Sequence, residues 1–133
     1  MGTSTDGILV FGIALEEGTE PGFLEDYDGD FDEFLNDLSG LPKYSESGHD
    51  FAEQQKFREN FPVDLTWHCS FEYPMYIVAV RGTKVTAHRG NPVEINPANL
   101  AISDEKKAAL KEFCETYGIE WSEPKWWLVS MWG

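Results

Sequence analysis

The fold of this chain depends first on one stretch, Ile8-Leu-Val-Phe-Gly-Ile-Ala-Leu15, which is apolar throughout and has the length of a strand. An unbroken apolar run of this length is typical of a strand at the centre of a sheet, buried on both faces. The chain around it has 133 residues, which is enough for one hydrophobic core but not for two. We therefore expect a single domain, residues 1–133, built around this strand.

Further strands are expected in the second half of the chain, where the hydrophobic period changes to two. The predicted segments are Val63–Phe71, Met75–Val80, Lys84–Arg89 and Lys125–Trp132. A tight turn at Arg81–Thr83 separates the second segment from the third. In the first segment apolar and polar residues alternate, so one face should pack while the other, with Thr66 and His68, meets water or a partner.

Three helices are predicted from capping residues and apolar stripes. The first begins at Asp30 in a capping box and carries a stripe of four apolar residues, Phe31, Phe34, Leu35 and Leu38. The second opens at Asp50 and ends before Phe61, and the third is capped by Ser103 and ends at Gly118. The order of elements predicts an α+β fold, with a largely antiparallel sheet of four to five strands and two to three helices packed on one face.

Charge is the most informative part of the composition. The chain has 24 acidic and 10 basic residues, a net charge of −14, which argues against direct binding of nucleic acid or an anionic membrane. Ten acidic residues and no basic residue lie between Glu16 and Asp37. Crowded carboxylates repel one another, and a strong local field steers a basic partner.

The acidic run therefore predicts a partner-binding surface, with a merely solvated helix start as the plainer alternative. The residues assigned to this surface are Glu25, Asp26, Asp28, Asp30, Asp32, Glu33 and Asp37. Four of its aspartates have the spacing of a calcium loop, but Phe31 stands where such a loop needs glycine. We expect no metal site.

Tryptophan and histidine give a second hypothesis, a small-ligand binder or sponge whose aromatic pocket takes a nucleotide-like molecule. The pocket residues would be Trp67, His68, Arg81, Lys84, His88, Trp126 and Trp127. A zinc site would need further ligands at recognisable spacing. The sequence contains no Gly-rich phosphate loop and no nucleophile motif, and the expectation is a protein without cofactor or enzymatic activity.

Four stretches resemble small acidic accessory proteins encoded by tailed bacteriophages. They are Gly2-Thr-Ser-Thr-Asp-Gly-Ile-Leu-Val-Phe-Gly-Ile13, Glu25-Asp-Tyr-Asp-Gly-Asp30, Pro74-Met-Tyr-Ile-Val-Ala-Val-Arg-Gly-Thr83 and Pro124-Lys-Trp-Trp-Leu-Val-Ser-Met-Trp-Gly133. The resemblance implies a viral protein acting in the cytoplasm of a bacterial host. Inhibitors of bacterial defence, including anti-CRISPR proteins and DNA mimics, are frequent among such proteins.

Charge and resemblance together predict an inhibitor that acts by protein–protein interaction. Its acidic surface would dock on the basic nucleic-acid-binding region of a host or defence protein, with no direct contact to nucleic acid or membrane. The sequence leaves the oligomeric state open.

Overall fold

The computed structural model describes residues 5–16, 21–27, 30–40, 49–70 and 72–132, and its fold is α+β, as predicted. The strands are β1 (Thr5–Ala14), β2 (Val63–Cys69), β3 (Pro74–Val80), β4 (Val85–Ala87) and β5 (Lys125–Trp132). The helices are α1 (Phe31–Leu38), α2 (His49–Asn60) and α3 (Asp104–Tyr117), with short 3₁₀ helices at Gly22–Tyr27 and Pro97–Leu100. The chain divides into two compact units, one of residues 1–20 and 62–133 and one of residues 21–61.

The strand β1 is central to the five-stranded sheet, because it pairs antiparallel with β3, β4 and β5. Ile8, Val10, Phe11 and Ile13 are all buried. Since successive side chains of a strand point to opposite faces, this pattern shows that β1 is covered on both. The prediction drawn from its unbroken apolar run is confirmed.

The strands β3 and β4 form one interrupted strand along a single edge of β1. The strand β3 pairs with the C-terminal part of β1, and β4 pairs with the N-terminal half of β1. Between these two pairings the register shifts by three residues. Thr83 closes the resulting bulge. Its Oγ1 accepts a hydrogen bond from the Phe11 N–H at 3.2 Å and donates one to the Val80 carbonyl at 2.7 Å.

The strand pairings form a closed ring. The strand β2 pairs antiparallel with β3 over its whole length, and it meets β5 in a parallel bridge between Cys69 and Met131. The pairings therefore run from β1 to β3, β2, β5 and back to β1. Cys69, at this junction, has a positive φ of 78°, which bends the end of β2.

The inner face of this ring carries the apolar core cluster. It comprises Ile8, Val10, Ile77 and Ala79, with Ala14, Trp127, Val129 and Met131 packed against them. The register places Thr66 opposite Ile77 and His68 opposite Met75, so both polar residues share this inner face. Thr66 is 2% exposed and His68 9% exposed.

The prediction that the polar face of β2 meets water is therefore wrong. Alternation separates two faces of a strand, but ring closure turns the face with Thr66 and His68 inward. The strand also ends at Cys69 rather than at the predicted Phe71, which lies outside the described residues.

The helix α3 covers part of the outer face, where it packs against β2 and β3. Leu110, Phe113 and Cys114 form its buried side. Its predicted caps are confirmed, because the Ser103 side chain accepts from the Lys106 N–H and Gly118 is left-handed with a φ of 71°.

The unit of residues 21–61 has its own aromatic cluster. The aromatic rings in contact belong to Phe23, Tyr27, Phe31, Phe34, Phe57 and Phe61. The stripe predicted for α1 is buried at Phe31, Phe34 and Leu35, whereas Leu38 in the last turn is exposed. The helix α2 begins at His49, so Asp50 lies inside the helix and the prediction that it is the N-cap is wrong.

Candidate interaction site

Six of the seven predicted carboxylates lie in the described part of the chain, and all six residues are exposed. They are carried by the 3₁₀ helix Gly22–Tyr27 and by the start and body of α1. These residues, named here the acidic surface, are Glu25, Asp26, Asp30, Asp32, Glu33 and Asp37. The seventh, Asp28, lies outside the described residues.

The sequence of α1 fixes which carboxylates face the solvent together. Its apolar residues bury one side of the helix, while Asp30, Glu33 and Asp37 follow one another on the other side. At 1.5 Å per residue, the first and last of these are separated by about 10 Å along the helix axis. The result is a short row of like charges held by a rigid element.

Asp30 also explains why α1 begins where it does. Its Oδ1 accepts a hydrogen bond from the Glu33 N–H at 3.1 Å, as expected for an N-cap. The reciprocal arm of a capping box is replaced, because the Asp30 N–H donates to the Tyr27 carbonyl at 2.9 Å. Glu33 thus keeps its carboxylate directed at solvent and adds to the charge of the surface.

The acidic surface has no cationic partner among the described residues. The two ion pairs described, Arg81 with Asp64 and His88 with Asp6, lie in the other unit. The basic side chain of α2 that reaches α1, Arg58, donates to the Asn36 Oδ1 at 2.6 Å, an uncharged acceptor. The negative field of the surface is therefore not neutralised within the described residues of its own unit.

Tyr27 lies within the negative field of the acidic surface, which affects the pKa of its hydroxyl group. Sequence reasoning did not identify this residue. Its hydroxyl donates a hydrogen bond to the Asp37 Oδ2, which links the 3₁₀ helix to α1. That hydrogen bond, aided by the charges of Asp37, Asp26 and Glu33, raises the pKa of Tyr27 to about 12. The neighbouring residues gave no signal for this hydrogen bond, because Asp37 lies ten residues from Tyr27 in the sequence.

The calcium-like spacing does not produce one loop. Asp26 belongs to the 3₁₀ helix, whereas Asp30 and Asp32 belong to the first turn of α1. Phe31, at the position where a loop needs glycine, is buried and contacts Phe34. Within the described ranges, no three His, Cys, Asp or Glu residues are grouped so that they could hold a metal ion.

The seven residues of the alternative pocket are dispersed. By strand parity His68 and Trp127 lie on the inner face of the sheet and Trp67 and Trp126 on the outer face, whereas His88 follows β4 and is exposed. The remaining two residues lie at the β3–β4 bulge, where Lys84 is exposed and Arg81 donates to the Val63 carbonyl at 3.2 Å. The structure does not bring the seven together.

Individual members of this set have structural partners instead. The Trp127 Nε1 donates to the Gly12 carbonyl at 2.9 Å and the Trp126 Nε1 to the Leu100 carbonyl at 2.9 Å. His88 Nδ1 lies 3.1 Å from the Asp6 Oδ1 at the exposed end of β1. Burial lowers the pKa of His68.

Comparison of the chain with protein-family models, with curated proteins and with solved structures finds no match. Across the ranges that the structure describes, no helix combines the length and the apolar character needed to cross a bilayer.

Proposed function

We propose that this protein binds a basic surface of another protein through the acidic surface. The observation that carries the proposal is the absence, in the described part of the chain, of any cation paired with the six exposed carboxylates. Like charges held in a row repel one another, and a complementary basic surface removes that repulsion when it docks. Binding is thus favoured where the partner carries clustered Lys and Arg.

The partner class that fits best is a nucleic-acid-binding protein. Such proteins expose basic grooves that neutralise phosphate charges, and a rigid row of carboxylates can occupy the same groove. The resemblance to phage accessory proteins supports a host or defence protein as the target, and occupation of its groove would inhibit it. No chemical step is part of this proposal.

The test uses the full chain, immobilised and exposed to a nuclease-treated bacterial lysate. We expect a basic nucleic-acid-binding protein to be retained at low salt, and duplex DNA to compete with the chain for that purified partner. Retention should fall steeply as the salt concentration rises, because the contacts join exposed charges. If neither salt nor DNA reduced the retention of the partner, the proposal would be contradicted.

The charge-reversed variant is Glu25→Lys/Asp26→Lys, because neither residue caps a helix. The matched control, Glu112→Lys/Glu115→Lys, changes the net charge equally on exposed positions of α3. We expect the first variant to lose the partner and the second to retain it. If both variants lost the partner equally, the loss would be an effect of net charge alone, and a local docking surface would be contradicted.

A further inference from the structure

The ring of strands is closed most weakly where β2 meets β5. The ladder of β1 with β5 joins eight residue pairs and that of β2 with β3 joins seven, whereas β2 and β5 share only the bridge between Cys69 and Met131. Within the part of the chain that the structure describes, Cys69 is the only residue other than glycine with a positive φ, a conformation that strains a side chain of this kind. Separating β2 from β5 therefore breaks fewer backbone hydrogen bonds than separating any other neighbouring strands of the ring.

His68 directly precedes this junction and belongs to the inner face of the ring. It is 9% exposed, and its neighbour on β3 is Met75. On the same face, β5 carries Val129 and Met131 beside the junction. Burial lowers the pKa of His68, so the folded chain holds this side chain as a neutral imidazole among apolar neighbours.

The ionisable groups described on or beside this face do not provide a counter-ion for a protonated His68. Asp6 lies 3.1 Å from His88 and Asp64 lies 3.7 Å from Arg81, so both carboxylates already have cationic or basic partners. Lys125 is itself a cation, and the inner-face residues of β3 are not ionisable. The two carboxylates that follow β1 and β2 are exposed to solvent, and they belong to Glu16 and Glu72. An imidazolium ion at this position is therefore stabilised mainly by contact with water.

We propose that the junction of β2 and β5 is a pH-sensitive switch, in which His68 takes up a proton from the solvent and the end of β2 separates from β5. The ladder of β2 with β3 stays intact, so the two strands move together as a hairpin. The movement brings the imidazolium ion to water and uncovers the apolar inner side of β5, where Trp127, Val129 and Met131 are already only partly buried. When His68 loses its proton, the ring closes again.

The test is a pH titration of the isotope-labelled full chain, followed by nuclear magnetic resonance. The Overhauser contact between Cys69 and Met131 reports on the junction, and the contact between Leu9 and Leu128 reports on the ladder of β1 with β5. The ring protons of His68 report on its own protonation. Between about pH 7.5 and about pH 5.5, we expect the junction contact to be lost with the midpoint of the His68 titration, while the ladder contact persists.

Two outcomes of this titration would overturn the proposal. One is a junction contact that persists at about pH 5.5, whether or not His68 has taken up a proton. The other is the simultaneous loss of the junction and ladder contacts, because the chain then unfolds as a whole. The measurement uses the chain without any partner, so its result is independent of the proposed function of the acidic surface.

His68→Gln separates this histidine from the other titrating groups. We expect this variant to keep the junction contact at about pH 5.5, because an amide side chain does not titrate in this range. The matched control is His88→Asn, at an exposed position, which should open as the wild type does. If His68→Gln lost the junction contact at the same pH as the wild type, another group would control the opening and the proposal would be wrong.

Discussion

Two buried threonines of the sheet differ in what their hydroxyl groups contact. Thr83 Oγ1 bridges the Phe11 N–H and the Val80 carbonyl across the bulge. Thr66 Oγ1 is buried on the inner face and has no hydrogen-bond partner in the described structure. A buried polar group without a hydrogen-bond partner destabilises the folded state. Removing a buried polar group that has a partner destabilises the folded state too, because the partner is left without a hydrogen bond.

The same substitution should therefore act in opposite directions at the two sites. Thr66→Val exchanges an unpaired hydroxyl for a methyl group and should raise the free energy of unfolding by about 1 kcal/mol. Thr83→Val leaves the Phe11 N–H without an acceptor and should lower the free energy of unfolding by about 1–3 kcal/mol. Urea denaturation of both variants measures the difference, and a loss of stability in Thr66→Val would show that its hydroxyl has a partner.

His68 should make stability depend on pH near neutrality. Its pKa is lowered in the folded protein by burial, from an ordinary value of 6.5. As pH falls through that value, the unfolded chain takes up a proton that the folded chain does not. The contribution of neutral His68 to the free energy of unfolding is therefore complete above the ordinary pKa, and it is lost progressively as the pH falls below that value.

Melting temperatures measured between about pH 5.5 and about pH 7.5 should rise with pH, in a range where most carboxylates stay ionised. We expect His68→Gln to flatten this rise, and His88→Asn, at an exposed position, to preserve it. A wild-type melting temperature that is flat across the range would show that His68 protonates freely in the folded state.

At the scale of single elements, β1 has one position that tolerates no side chain. A Cβ on Gly12 would lie 2.3 Å from the Val78 carbonyl oxygen and 2.7 Å from the Ala79 Cα, both of them backbone atoms. The close approach of β1 and β3 thus requires glycine here. Gly7 in the same strand has nothing within 4 Å of the equivalent point.

Gly12→Ala should lower the free energy of unfolding by more than about 2 kcal/mol, because two backbones must separate. Gly7→Ala, the matched control, should change it by no more than about 0.5 kcal/mol. Thermal unfolding of the pair isolates the steric contact from the general effect of replacing glycine in a strand. Equal stability of the two variants would contradict the close approach.

The elements whose signals are local were predicted well. The strand β5 has its predicted bounds, α3 its predicted caps, and α1 begins after Asp30 because that side chain binds the first turn. Caps and apolar stripes are read within a few residues, so no tertiary information is needed. The inward face of β2 and the bulge between β3 and β4 depend on pairings with β1 and β5, which residue spacing does not contain.

The same distinction applies to the candidate site. The acidic run was visible because its charge is local in sequence, and the structure adds that its described carboxylates are exposed and unpaired with described cations. The alternative pocket required that distant residues such as His68 and Trp126 face one another. Strand parity places these two on opposite faces of the sheet.

At the scale of the whole molecule, charge is divided unevenly between the two units. Residues 21–61 contain eleven acidic and three basic residues, more than half of the net charge on less than a third of the chain. The unit with the sheet carries the less negative remainder. The acidic surface thus belongs to the unit with the higher density of negative charge.

The pairing of β1 with β5 also constrains how the chain folds. Thr5 is opposite Trp132, so the longest ladder of the sheet joins segments separated by more than a hundred residues. Closing so long a loop is entropically unfavourable before any of its contacts form, and proteins dominated by such pairings fold slowly. During synthesis β3 and β4 emerge before β5, so one edge of β1 can pair early while its other edge remains without a partner until nearly the whole chain is made. An apolar strand with one edge unpaired for that time is exposed to aggregation and to capture by chaperones.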